Sequence, residues 1–144
     1  MVTFERVRDL VRGAVRAPEE VIHGATADEL AALEQRLGRS LPTQLREFLR
    51  VCNGARIGPG GLFGHRPNDP SCDLPSFLAL WREWAVSGWL PVAGAGCGNY
   101  YVMTPDGAVG FVDTMADPGA LEGTPFPDLF ACVEALLAND QAAP

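Results

Sequence analysis

The side chains of this sequence that could do chemistry are four cysteines, two histidines and a late group of carboxylates, and their spacing limits what they can do. Cys52, Cys72, Cys97 and Cys132 stand 20, 25 and 35 positions apart. Zinc ribbons and fingers draw their ligands in pairs about two to four residues apart, because one tight turn must present both to a single ion. No such pair exists, and His23 and His65 stand alone. No metal or cofactor is therefore expected, and the thiols read as free in a reducing cytoplasm. Nucleophilic catalysis needs a Ser or Cys beside a base that a third group orients. Cys72 and His65 share one loop-like stretch and form the one pair to consider, with no orienting group or oxyanion hole marked beside them. Asp113, Asp117 and Glu122 lie close enough in sequence to act as paired carboxylates in hydrolysis or metal binding, although an acidic loop is usually a solvated loop. Gly94-Ala95-Gly96-Cys97-Gly98 has the glycine density of a dinucleotide loop. That fingerprint needs a helix N-terminus after its glycines to hold a pyrophosphate, and here the strand formers Asn99-Tyr100-Tyr101 follow. A turn or bulge between strands fits better. A Gly-Lys-Ser/Thr phosphate loop is excluded, because the chain has no lysine. No catalytic residue is assigned, and the chain is not expected to be an enzyme.

The placement of charge says more. All eleven basic residues are arginines and the last is Arg82. Residues 1–82 carry 11 bases and 10 acids, a net of +1, whereas residues 83–144 carry 8 acids and no base, a net of −8. An acidic half repels phosphate backbones, so nucleic acid is not expected as a partner. It attracts a cationic protein surface and speeds the encounter. No apolar run approaches the ~18 residues a membrane helix needs, and Met1-Val2-Thr3-Phe4-Glu5-Arg6 lacks the pattern of a signal peptide.

The elements that position these residues follow from periodicity. A chain of 144 residues with 47% hydrophobic content suits one domain with its own core. Thr3 caps a helix over 3–16, with Phe4, Val7, Leu10, Val11 and Ala14 on one face. Thr26-Ala27-Asp28-Glu29 is a capping box ahead of the stripe Leu30, Leu33, Leu37, and Gly38 supplies a left-handed stop. Leu41-Pro42 opens a helix that buries Leu45, Phe48, Leu49 and Cys52 and ends at Asn53-Gly54. Residues 55–75 read as a long irregular loop, with room for a short strand at Leu62-Phe63. Leu74 to Ala85 reads as one helix carrying Trp81 and Trp84. From Trp89 the period changes to two, with Pro91 marking an edge or bulge. Asn99–Thr104 and Ala108–Asp113 flank Pro105-Asp106-Gly107 as a hairpin. A polar loop, a helix over 126–137 and a frayed tail at 139–144 complete an α+β plan.

The stretch Thr26–Gly54 carries a resemblance. A helix ending Glu34-Gln35-Arg36-Leu37-Gly38, a short gap to Leu41-Pro42, a second helix and a closing Asn53-Gly54 resemble the opening of the SUKH superfamily. Trp89–Ala93, Gly98-Asn99-Tyr100-Tyr101 and Phe111-Val112-Asp113 look like its central strands. Asn99 and Met103-Thr104 depart from the carboxylates common at those places. The resemblance covers roughly 25–137. It implies an SUKH-like domain over 25–138, an N-terminal helical extension over 1–24, and a fold set by Glu34, Leu37, Gly38, Leu41, Pro42, Asn53, Gly54, Gly98 and Tyr100. It also implies a cytoplasmic protein-binding module of the bacterial immunity type, blocking a toxin domain, with a regulatory adaptor as the alternative. An enzyme built on Cys72 and His65 or on the Asp113 loop ranks third. Candidate partner-binding residues are Tyr101, Asp106, Asp113, Asp117, Glu122 and Trp84, from the hairpin, the acidic loop and an exposed tryptophan.

Overall fold

The computed structural model describes residues 1–143. Three helices come first: α1 (Phe4–Gly13), α2 (Ala27–Leu37) and α3 (Thr43–Leu49). A 3-10 turn at Pro70–Cys72 leads to α4 (Leu74–Leu78) and α5 (Arg82–Ser87). The strands β1 (Leu90–Gly96), β2 (Asn99–Met103), β3 (Val109–Asp113) and β4 (Glu122–Phe126) follow, and α6 (Leu129–Leu137) closes the chain. The sheet is an antiparallel meander in the order β1-β2-β3-β4, giving the expected α+β domain.

The expected helix starts are present. Thr3 accepts from the Arg6 amide, and the full capping box forms between Thr26 and Glu29. Gly38 ends α2 in the left-handed conformation at φ 69°. The expected β2–β3 hairpin runs in register from Asn99 opposite Asp113 to Met103 opposite Val109. Pro91 sits at a register shift in β1, where its missing N–H costs no ladder bond. The glycine run makes the tight β1–β2 turn. Cys97 and Gly98, its two central residues, have φ of 54° and 81°, both positive, as the right-handed twist of a two-residue hairpin requires.

The sheet is covered on both faces. Tyr101 packs on Phe111 and Phe126, on the side where α6 and, beyond it, α1 lie. Tyr100 points the other way, against Phe77, Trp81 and Trp84. The main core joins α1, α2, α3 and α6 to β1 through Leu10, Leu33, Phe48, Val92 and Val133.

Four expectations need correcting. The single helix over 74–85 is two short helices, because Trp81 turns extended at φ −131° and ψ 105°. A continuous helix would point Trp81 and Trp84 to neighbouring faces. The break lets them stack, with centroids 4.6 Å apart, and drives Trp84 beneath Val102 and Val112. Trp84 is accordingly 0% exposed, with its indole N–H donated to the Pro118 carbonyl at 2.6 Å, so it is no surface anchor. The polar loop after β3 ends early, in β4, which starts at Glu122 opposite Phe111. The tail is not frayed over its described residues: Gln141 bridges Ala14, the Ala142 amide donates to the Gly13 carbonyl, and the Gln141 side chain donates to Leu10 and Leu137. Within 55–75, Leu62 makes isolated bridges to Ala55 and Ala93, adding a one-residue edge beside β1.

Candidate protein-binding face

The residues that define the fold are occupied with one another. Glu34 reaches past the end of α2 to accept the Leu41 amide at 2.8 Å and the Arg46 guanidinium at 2.5 Å, which locks α3 to α2. These donors hold its carboxyl below the usual carboxylate range. Buried Asn53 accepts the His65 amide and donates to Glu29 and to the His65 carbonyl, clamping the irregular stretch to α2. Gly54, at φ 80°, lets that stretch pass so close that a Cβ there would lie 2.8 Å from the Cys72 carbonyl and 3.0 Å from the Gly64 nitrogen. Beneath it, fully buried Asp73 caps α4 and receives both terminal nitrogens of Arg36, at 2.8 and 2.7 Å. Burial opposes its charge, but Arg36, Ser76 and the Arg66 amide outweigh that and hold its pKa at about 2. Sequence reading singled out neither Asp73 nor Arg36. The only local signal was an Asp two residues before Pro75, the spacing of an N-cap.

The structure does not join Cys72 to His65. Cys72 is buried, its thiol is pushed up by desolvation, and its one hydrogen-bond neighbour is the Ser71 hydroxyl at 4.0 Å. His65 instead turns its Nδ1 to Arg36 at 3.2 Å, and partial burial together with that cation lowers its pKa. Cys52 and Cys132 are buried with thiols pushed up to about 12, which leaves Cys97 as the exposed thiol. Among the described residues no three metal-ligating side chains converge.

What lies open is a mainly acidic face around α5, with Arg82 at the start of that helix and Arg39 donating to the Gly88 carbonyl at its end. Its start packs on the loop after β3, where Gly119 lies under Glu83. Its end meets the β2–β3 tip, where Gly88 lies against Pro105. Asp106 at that tip accepts from the Thr104 hydroxyl and the Ala108 amide, which lower its pKa. Asp113 and Asp117 turn the loop by accepting from Met115, Ala116 and Gly119 amides. The Thr114 hydroxyl then ties the loop to Gly98 of the β1–β2 turn at 2.6 Å. Among the described residues, Glu83, Asp106, Asp113, Asp117 and Glu122 take part in no ion pair, while Glu20, Glu34, Asp69, Asp73 and Glu134 each do. Exposed Val86 and Met115 stand among these free carboxylates, at 84% and 86% exposure. Of the six candidate residues, Asp106 and Asp117 border this face, whereas Glu122 pairs opposite Phe111 and Asp113 alternates with it on the Tyr101 side; Asp106 and Asp113 mark opposite ends of β2, on the order of 13 Å of strand apart. Tyr101 is half-buried on the opposite side of the sheet, and Trp84 lies beneath the face rather than on it.

Among curated proteins, none matches the chain. No helix among the described residues is long and apolar enough to cross a membrane. The order of the motifs Leu37-Gly38, Leu41-Pro42 and Asn53-Gly54, and the helix-helix-meander they brace, agree with a family model that matches residues 24–129, most of the chain: the chain belongs to the SMI1 / KNR4 family (SUKH-1).

Proposed function

We propose that this protein is a binding module that grips a cationic protein partner through the face of α5, the 113–122 loop and the β2–β3 tip. The partner it fits best is a toxin domain of the cationic nuclease kind, blocked stoichiometrically as an immunity protein blocks its toxin. The observation that carries the reading is the set of carboxylates left without cations on a face that also exposes Val86 and Met115. Carboxylates without an internal cation cost solubility nothing and steer a cationic surface. Apolar side chains among them supply the area that dehydrates on contact.

The test begins with affinity capture from the source cell, then co-expression of the captured partner with and without this chain. Rescue of growth supports immunity; capture without rescue moves the reading to an adaptor. Stopped-flow association with the partner should slow by roughly tenfold or more as salt rises from low to high ionic strength. A rate indifferent to salt would sink the electrostatic reading. Asp106→Asn with Asp117→Asn should slow association several-fold while changing dissociation little.

A further inference from the structure

A second charged surface lies on the side of the sheet away from the acidic face, and it depends on α1. Arg8 and Arg12 stand four residues apart on that helix, and Arg16 follows in the extended segment just past its end. They face Arg50, at the end of α3, across a groove floored by Val11, Ile22 and Val51. The walls are pre-formed. The Ala25 amide donates to Leu49 at 2.7 Å and the Asn53 amide to His23 at 2.7 Å, and a Cβ at Gly24 would run into the Arg50 carbonyl. The α1 wall is held by Val7, Leu10 and Phe4, with Phe4 packed on Phe130 at 6.4 Å.

The cations are more numerous than the local structure uses. Arg16 answers the carbonyl end of α1 by donating to Arg12 and Ala14 carbonyls, as a helix C-terminus favours. Arg12 and Arg50 have no ion-pair partner among the described residues. Arg8 stands 3.6 Å from Asp9, too far for a hydrogen bond, and its Nε is buried with no acceptor. Exposed Arg12 and Arg50 are the groups open to an anionic oxygen from outside.

We infer that this groove receives an extended acidic peptide segment of a protein partner, with carboxylates at alternate positions. Residues four apart on a helix rise about 6 Å, and same-side residues of an extended chain repeat at about 6.6 Å, so two successive same-side carboxylates meet Arg8 and Arg12 in turn, with Arg50 across the groove. Guanidinium forks take carboxylates in bidentate fashion, and the apolar floor accepts the intervening side chains. A nucleic acid fits less well. It would stack bases on exposed aromatic rings, and the one ring at the groove, Phe4, is engaged by Phe130. The inference does not rest on the acidic face: α1 lies outside the matched family region, so the groove is an addition to the family domain.

The test is fluorescence polarisation of the full chain with a labelled peptide of about eight residues, glutamate alternating with valine or leucine. At low salt the expected result is saturable binding with Kd below about 100 μM. Binding should weaken about tenfold in Arg12→Glu and in Arg50→Glu, which lie in different elements, and persist in Arg82→Glu outside the groove. Thermal melts of each variant establish folding, and both groove positions are exposed. No saturation by about 1 mM overturns the inference. So does equal binding of a glutamine-for-glutamate peptide, or affinity untouched by both reversals. An oligonucleotide of matched charge that outcompetes the peptide assigns the groove to nucleic acid instead. Self-association in sedimentation that Arg12→Glu abolishes makes a second copy the occupant and overturns it equally.

Discussion

Asp73 shows how one side chain can organise a region with no regular structure. Its carboxylate receives Arg36, the Arg66 amide and both the amide and hydroxyl of Ser76, so it joins α2, the irregular stretch and α4 at a point with no exposure. Removing the charge leaves Arg36 facing a neutral group in a half-buried place, and breaking such a pair costs more than the pair contributes. Asp73→Asn should therefore destabilise the fold by about 2 kcal/mol at pH 7 in urea unfolding. The pH dependence has a definite sign. With a folded pKa of about 2, below the unfolded value, Asp73 contributes stability that is fully present above the ordinary carboxylate pKa and is lost as pH falls from about 4 towards 2. The wild type should lose its urea midpoint steeply across that window, and Asp73→Asn should lose less. Equal slopes would remove Asp73 from this role. Little of this cluster was legible from spacing, since Arg36, His65 and Asp73 meet only after the chain folds back. The capping box and the glycine stop at Gly38 were legible, because their partners lie within four residues.

At the scale of elements, the periodic stripes identified α1, α2, α3 and α6, and turn chemistry identified the β2–β3 hairpin. The failures fall where tertiary packing outweighs local pattern. The run from Leu74 to Ala85 has helical composition throughout, yet the sheet offers a site for only one indole, and the chain breaks at Trp81 to fill it with Trp84. β4 was missed because Glu122 to Phe126 contains glycine and proline and pairs with β3 across a register shift. The tail was read as frayed because its composition is polar, and nothing nearby in sequence announces that Gln141 will find the backbone of α1. That docking, with Val7, Leu10 and Val11 buried against α3 and α6, makes α1 an integral part of the core although it precedes the family region. Leu10→Ala should accordingly cost about 2–4 kcal/mol, read from denaturant midpoints at unchanged slope. A cost below about 0.5 kcal/mol, the usual range of a surface position, would make α1 a loosely attached extension.

At the scale of the whole molecule, the two signs of charge gather mostly on different surfaces, with Arg82 and Arg39 as the cations at the acidic one. The split between a +1 half and a −8 half was visible in the sequence. It concealed a finer arrangement, in which several of the early arginines are consumed by Glu20, Glu34, Asp69, Asp73 and Glu134 while Arg8, Arg12, Arg16 and Arg50 gather at one groove. α1 packs with α6 and α3 on one side of the sheet and α5 packs on the other, so the two surfaces stand on the order of 20 Å apart, the thickness of two helix-on-sheet packings. Charges more than a Debye length of about 8 Å apart at physiological salt are largely screened from each other. Occupancy of one surface should then leave the other nearly unchanged. With partner saturating the acidic face, the acidic peptide's affinity for the groove should stay within about twofold at 150 mM salt. In the reverse direction, Arg12→Glu with Arg50→Glu should leave the partner's association rate within the same margin, although Asp106→Asn with Asp117→Asn slows it. Mutual exclusion of peptide and partner would mean that a single ligand spans both surfaces, and the molecule would then be a clamp around one chain rather than a platform with two independent sides.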